Sequence, residues 1–195
     1  MRWRNPDVWR HFTYELVYPA VLGSMLYDLL NVHDFTLDAF GWPGPAKWFT
    51  SSLALFYALD WLYLYEVLPP PKEKSSPVHM LVDIPIALCL GFSFHLALNN
   101  NIGKAYFLWF LASSFILVYH FVPRLSSERP ANRWYTWGIL ALIPGTTAAG
   151  LCLYSRPSPR NCITDLFPLI PLGLYFLYIF LYSRLLPKES LPSGS

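Results

Sequence analysis

The sequence predicts an all-α protein, a polytopic bundle of about six transmembrane helices with both termini on the cytoplasmic side. Hydrophobic residues make up 54% of the 195 residues, and charged residues only 13%. An ordinary soluble domain carries about 25% charged residues. A soluble domain of this composition would lack the polar side chains to cover its surface, whereas a lipid bilayer suits it. The third observation is that the apolar residues are grouped in runs of membrane-spanning length.

Each run is close to the roughly 20 residues that an α-helix needs to cross a bilayer. Loop signals separate the runs, among them the Gly and Pro residues of 41–45, the prolines 69–71 and the asparagines 99–101. The chain is therefore expected to form one transmembrane domain over 1–186, followed by a disordered tail, 187–195. The predicted spans are 12–30, 49–68, 80–99, 105–122, 135–154 and 166–186.

Basic residues in the short loops set the predicted orientation, because Lys and Arg favour the cytoplasmic side. Residues 1–10 contain three arginines, and the loop 123–134 contains three more. The loops 31–48 and 100–104 contain one lysine each. An even number of spans then returns the C-terminus to the cytoplasm. The expected location is the endoplasmic reticulum or the inner membrane of a bacterium.

Ionisable and strongly polar side chains inside the predicted spans need a reason, since a charge at the centre of a transmembrane helix costs about 2.5–3.5 kcal/mol on insertion scales. The predicted orientation places one group of such residues near the inner leaflet, namely Glu15, Glu66, Asp83 and His120. A second group is expected near the outer leaflet, namely Asp28, His95 and Asn99. Groups near span ends also fit a simpler interpretation, in which they are solvated among the lipid head groups.

Asp60 is expected near the middle of the second span, with Tyr57, Trp61 and Tyr63 close to it in sequence. A carboxyl group at that depth has two interpretations. It faces an internal polar site, or it forms a structural hydrogen bond with a hydroxyl group on a neighbouring helix. Aromatic rings beside a buried acid also suit a flat hydrophobic ligand.

These residues favour a membrane protein that binds or transforms a lipid-like molecule of sterol, terpenoid or quinone type. If it is an enzyme, general acid–base chemistry is expected, as in an isomerase or cyclase. The candidate catalytic residues are Asp60, Asp83, Glu15 and His120. The candidate ligand-binding residues are Tyr57, Trp61, Tyr63, Glu66, His95, Asn99 and Asp28.

Two alternatives stay open on the sequence alone. The same carboxylates and histidines suit an ion or proton channel or transporter, and the short loops suit a structural subunit of a membrane complex or a homo-oligomer. No metal is expected, because the sequence has no His-x-x-x-His or Glu-x-x-His pair. No cofactor is expected either. The basic residues are scattered through the loops, which argues against a nucleic-acid partner.

Overall fold

The computed structural model describes residues 11–32, 45–63, 78–121, 134–155 and 162–185. These residues form helices and no β-strand, which confirms the predicted all-α fold class. A π-helical segment, His11–Val17, continues directly into the first α-helix. The α-helices are α1 (Tyr18–Val32), α2 (Pro45–Leu62), α3 (Val78–Leu98), α4 (Ile102–Phe121), α5 (Trp134–Tyr154), α6 (Cys162–Asp165) and α7 (Leu169–Leu185).

The helices pack as a ring with one helix added outside it. Neighbours in the ring are α2 and α3, α3 and α4, α4 and α5, α5 and α7, and finally α7 and α2. Helix α1 packs against both α2 and α3, and the π-helical segment also contacts α3. The short α6 lies against α2. This arrangement gives the bundle an interior enclosed by five helices and a separate seam where α1 meets α3.

A tight turn joins α3 to α4. The backbone N–H of Asn101 donates to the Leu96 carbonyl oxygen (2.9 Å), and the N–H of Asn100 donates to that of Ala97 (3.0 Å). Asn100 has a φ of 59°, in the left-handed region. This combination is the Schellman motif, and asparagine is one of the few residues other than glycine that adopt it readily. The run of asparagines thus ends α3 and reverses the chain.

The ring encloses a core rich in aromatic side chains. The Trp109 ring meets the Phe49 and Phe56 rings edge-on, each at a centroid distance of 5.4 Å. Tyr106 stacks between Trp109 (6.1 Å) and Tyr154 (5.3 Å). Offset-stacked and edge-to-face pairs are the favoured geometries for aromatic rings. These large rings, which belong to α2, α4 and α5, therefore fill the space between the three helices.

The prediction of six membrane spans is not confirmed. Among the described residues, one helical stretch, Trp137–Tyr154 of α5, is long and apolar enough to cross a bilayer. Among the described side chains, three other helices contain shorter apolar stretches: Val82–Leu98, Ile102–Val118 and Leu169–Leu181. The last part of the predicted span 49–68 and the tail 187–195 lie outside the described residues.

Candidate functional site

Asp60 lies in α2 and faces the interior of the bundle, where only 3% of it is exposed. The Tyr18 hydroxyl of α1 donates a hydrogen bond to its Oδ2 atom (3.1 Å). The Tyr175 hydroxyl of α7 donates to its Oδ1 atom. Because burying a carboxyl group without partners is costly, these two hydroxyls are what makes Asp60 tolerable at this position. One side chain thereby ties together α1, α2 and α7.

Asp83 of α3 forms a second buried contact of the same kind. It too is 3% exposed, and the Tyr14 hydroxyl donates to its Oδ2 atom. Tyr14 belongs to the π-helical segment, so the bond connects that segment to α3. The rings of Tyr14 and Tyr18 lie 5.9 Å apart, which places the two carboxyl contacts side by side. We call Tyr14, Tyr18, Asp60, Asp83 and Tyr175 the tyrosine–carboxylate cluster.

Side chains of α2 hold the start of α1 through its backbone. The Trp61 indole N–H donates to the Tyr14 carbonyl oxygen (2.9 Å), and the Tyr57 hydroxyl donates to that of Tyr18 (3.3 Å). Pro19, in the first turn of α1, has no N–H to donate. The Trp61 indole and the Tyr57 hydroxyl thus provide donors to backbone carbonyl oxygens close to this proline.

Further aromatic rings close off the cluster. Tyr57 stacks on Tyr18 at 5.1 Å, and Phe56 stacks on Tyr175 at 4.4 Å. Tyr63 meets Tyr178 edge-on at 5.9 Å, and their hydroxyl oxygens are 3.4 Å apart. Each oxygen of Asp60 already accepts a tyrosine hydroxyl inside this aromatic shell. The arrangement fits the structural interpretation of Asp60, a hydrogen bond to hydroxyl groups on neighbouring helices.

A groove lies elsewhere, on the seam between α1 and α3. Its volume is about 500 Å³. Helix α1 contributes Ala20, Val21, Ser24, Met25 and Asp28, and α3 contributes Leu88, Gly91, Phe92, Phe94 and His95. We call this the α1–α3 groove.

The groove exists because the two helices approach closely at one point and diverge around it. A Cβ atom added to Gly91 would lie 3.0 Å from Cγ1 of Val21, so only glycine fits without displacing that side chain. Small residues at such crossings are typical of helix packing in membranes. The buried side chains of Met25 and Phe94 form the floor, while Phe92 on the rim is 62% exposed.

The candidate ligand-binding residues divide between these two places. Tyr57, Trp61 and Tyr63 surround the tyrosine–carboxylate cluster. Asp28 and His95, which the sequence placed at a similar depth, both line the groove.

The remaining candidates lie apart from both places or beyond the described atoms. The Asn99 side chain is exposed at the end of α3, where its amide donates to the His95 carbonyl oxygen (2.9 Å). Glu15 is exposed and pairs with His11 (2.6 Å), so it does not join the cluster. Glu66 and the His120 side chain lie outside the described part of the chain.

Sequence reasoning missed Tyr14 and Tyr18 as the partners of Asp83 and Asp60. The two tyrosines are four residues apart in the first predicted span, so they lie on the same face of the helix. Glu15 lies on a different face. Within the described residues, no group of three or more His, Cys, Asp or Glu side chains is arranged to hold a metal ion. No known protein family matches the chain, and no curated protein or solved structure matches it.

Proposed function

We propose that this protein is integral to a membrane and binds a lipid-like small molecule, of sterol, terpenoid or quinone type, in the α1–α3 groove. The observation that carries the proposal is the lining of that groove. Small-molecule sites are concave and mostly apolar, about 300–1,000 Å³ in volume, with a few polar groups that orient the ligand. The groove has about 500 Å³, apolar walls and the polar groups of Ser24, Asp28 and His95.

Asp28 and His95 lie at the C-terminal ends of the two groove walls, whereas Ala20 and Leu88 lie at the N-terminal ends. Along α1 the lining runs from Ala20 to Asp28, and along α3 from Leu88 to His95. At 1.5 Å per residue, the α1 wall is about 12 Å long. This distribution suits an amphiphile whose head lies beside Asp28 and His95 and whose tail lies between Ala20 and Leu88.

The outer surface of the helices supports the membrane location. Large apolar side chains are exposed on all six of the longer α-helices, for example Leu30 on α1 (65%) and Phe176 on α7 (58%). Exposed apolar side chains on every long helix suit contact with lipid tails. Only 28% of the residues in Trp137–Tyr154 are buried, whereas a core helix of a soluble protein is mostly buried. Six spans, with both termini in the cytoplasm, remain the arrangement we propose.

The tyrosine–carboxylate cluster favours binding over catalysis. A general acid or base must come within hydrogen-bond reach of the group whose proton it transfers. Asp60 and Asp83 are buried, and tyrosine hydroxyls of the protein already donate to them. A substrate would reach these carboxyl groups only after the helices had separated. We therefore assign the cluster to holding the bundle together, and ligand binding to the groove.

Photolabelling tests the proposal. The purified protein in lipid nanodiscs is irradiated with a photoreactive farnesol analogue, and the labelled peptides are mapped by mass spectrometry. We expect the label on α1 and α3, and competition by unlabelled farnesol. Ala20→Phe should fill the apolar end and reduce that labelling about tenfold, since Ala20 is an exposed residue of the groove wall.

The matched control is Ala141→Phe, which adds the same ring at an exposed position of α5 that does not line the groove. It should leave labelling unchanged. Labelling spread evenly over the outer helix faces, and equally insensitive to both substitutions, would show only contact with bulk lipid and would refute the proposed function.

A further inference from the structure

Resting on the proposed function, we infer that the groove selects a neutral lipid alcohol, whose head-group hydroxyl donates a hydrogen bond to Asp28 and accepts one from His95. The selection depends on the hydrogen-bonding capacity of the two side chains at the polar end and on the charge around them.

Asp28 is half-buried in the groove wall. Within the described part of the chain it forms no ion pair or side-chain hydrogen bond, and it lies more than 4.0 Å from any nitrogen of His95. It sits near the C-terminal end of α1, where the helix dipole does not favour a negative charge. Among the described residues no side chain pairs with it, so its carboxyl group can meet a ligand in the groove.

A carboxylate accepts hydrogen bonds and donates none, so its ligand must carry an O–H or N–H group. An imidazole carries a donor on one ring nitrogen and an acceptor on the other. A hydroxyl group donates once and accepts twice, so its hydrogen-bonding capacity matches that of Asp28 and His95, and the Ser24 hydroxyl lines the same groove. Ethers and ketones only accept, and they leave Asp28 without a donor.

Charge disfavours an anionic head group at the polar end of the groove. The residues that line the groove include no Lys or Arg, while Asp28 is acidic. A phosphate ester would therefore be repelled at the polar end, with no cation to compensate. A neutral alcohol of isoprenoid or sterol type avoids this repulsion.

A competition series tests the head group. Farnesol, farnesyl methyl ether, farnesyl phosphate and farnesylamine each compete with the photoreactive farnesol analogue on the wild-type protein in nanodiscs. Half-maximal competition should need about ten times more farnesyl methyl ether than farnesol, because the ether leaves the carboxylate of Asp28 unpaired. Farnesyl phosphate should compete more weakly than the ether.

Asp28→Asn should remove most of this selectivity, because the amide of asparagine donates to an ether oxygen. The ratio between ether and alcohol should then fall from about tenfold towards one. The matched control is Asp165→Asn in α6, a half-buried acid outside the groove lining, which should keep the wild-type ratio.

Two wild-type results would overturn the inference and leave the proposed function intact. One is equal competition by alcohol and ether while Ala20→Phe still blocks labelling. The other is competition by farnesylamine at a concentration tenfold lower than that of farnesol, which would show that the groove selects a cationic head group. Both comparisons use the wild-type protein, so they decide the matter even if Asp28→Asn fails to fold. Labelling that Ala20→Phe does not reduce refutes the proposed function itself.

Discussion

At the scale of single residues, the interior depends on tyrosine hydroxyls that are placed opposite carboxyl groups. Tyr175 and Tyr106 are both buried tyrosines, yet their hydroxyls are in opposite situations. That of Tyr175 donates to Asp60. That of Tyr106 has no hydrogen-bond partner within the described residues. The two residues therefore form a natural pair for measuring what a buried hydroxyl contributes.

Tyr175→Phe should lower the free energy of unfolding by about 1–3 kcal/mol, because Oδ1 of the buried Asp60 loses its donor. Tyr106→Phe removes only an unpartnered hydroxyl and should be neutral or slightly stabilising. Thermal unfolding in one detergent, followed by tryptophan fluorescence, compares the two variants under the same conditions. Equal destabilisation would mean that the rings alone matter and that the hydrogen bond to Asp60 contributes nothing.

Single residues are also the scale at which the sequence predicted least about the tyrosine–carboxylate cluster. It indicated Asp60 and Asp83 as unusual, since charges in apolar runs are recognisable without a structure. It did not indicate Tyr14, because partners on different helices depend on how each helix is rotated about its axis. Glu15, next to Tyr14, shows the consequence: a step of one residue around the helix places it on the exposed face, paired with His11.

At the scale of secondary-structure elements, α4 and α5 approach through a glycine. A Cβ atom on Gly150 would lie 2.3 Å from Cε1 of Tyr106, which is far inside contact distance. That ring has no room to move, since it is stacked between Trp109 and Tyr154. An added methyl group must therefore separate the two helices or displace a packed ring.

Gly150→Ala should thus destabilise the bundle by about 1–3 kcal/mol, the usual cost of overpacking. Gly145→Ala, five residues earlier in α5, meets no atom within 4 Å and is the matched control. Alanine there should be neutral or stabilising by up to about 1 kcal/mol, since it favours the helical conformation. If Gly150→Ala and Gly145→Ala change the melting temperature by the same amount, this account of the α4–α5 interface is wrong.

The elements themselves followed closely from the sequence. The predicted run 135–154 overlaps α5 (Trp134–Tyr154), and the run 80–99 overlaps α3 (Val78–Leu98), because Pro, Gly and Asn bound the apolar stretches. The short α6 (Cys162–Asp165) was not predicted, since a helix of four residues has no apolar period to recognise. The order of the helices around the ring also lay beyond the sequence, because every helix is apolar on several faces.

At the scale of the whole molecule, the membrane arrangement that we propose depends on how many helices cross the bilayer. Helices α3 and α4 pack against each other and are joined by a turn of a few residues. They therefore cross the bilayer together or not at all, and contribute an even number of spans. Helix α5 differs, because its stretch Trp137–Tyr154 is by itself long and apolar enough to cross a bilayer.

Reporter fusions at each end of the chain distinguish six crossings from an odd number. A fluorescent reporter before residue 1, and separately after residue 195, should be on the cytoplasmic side in both fusions, since an even number of spans returns the chain to its starting side. A reporter in the loop 31–48 should be on the opposite side, because that loop follows the first predicted span and contains a single lysine. Termini on opposite sides would reduce the bundle to an odd number of spans. The α1–α3 groove would then need a different orientation in the bilayer, although its lining, on which the proposed hydroxyl head group rests, would be unchanged.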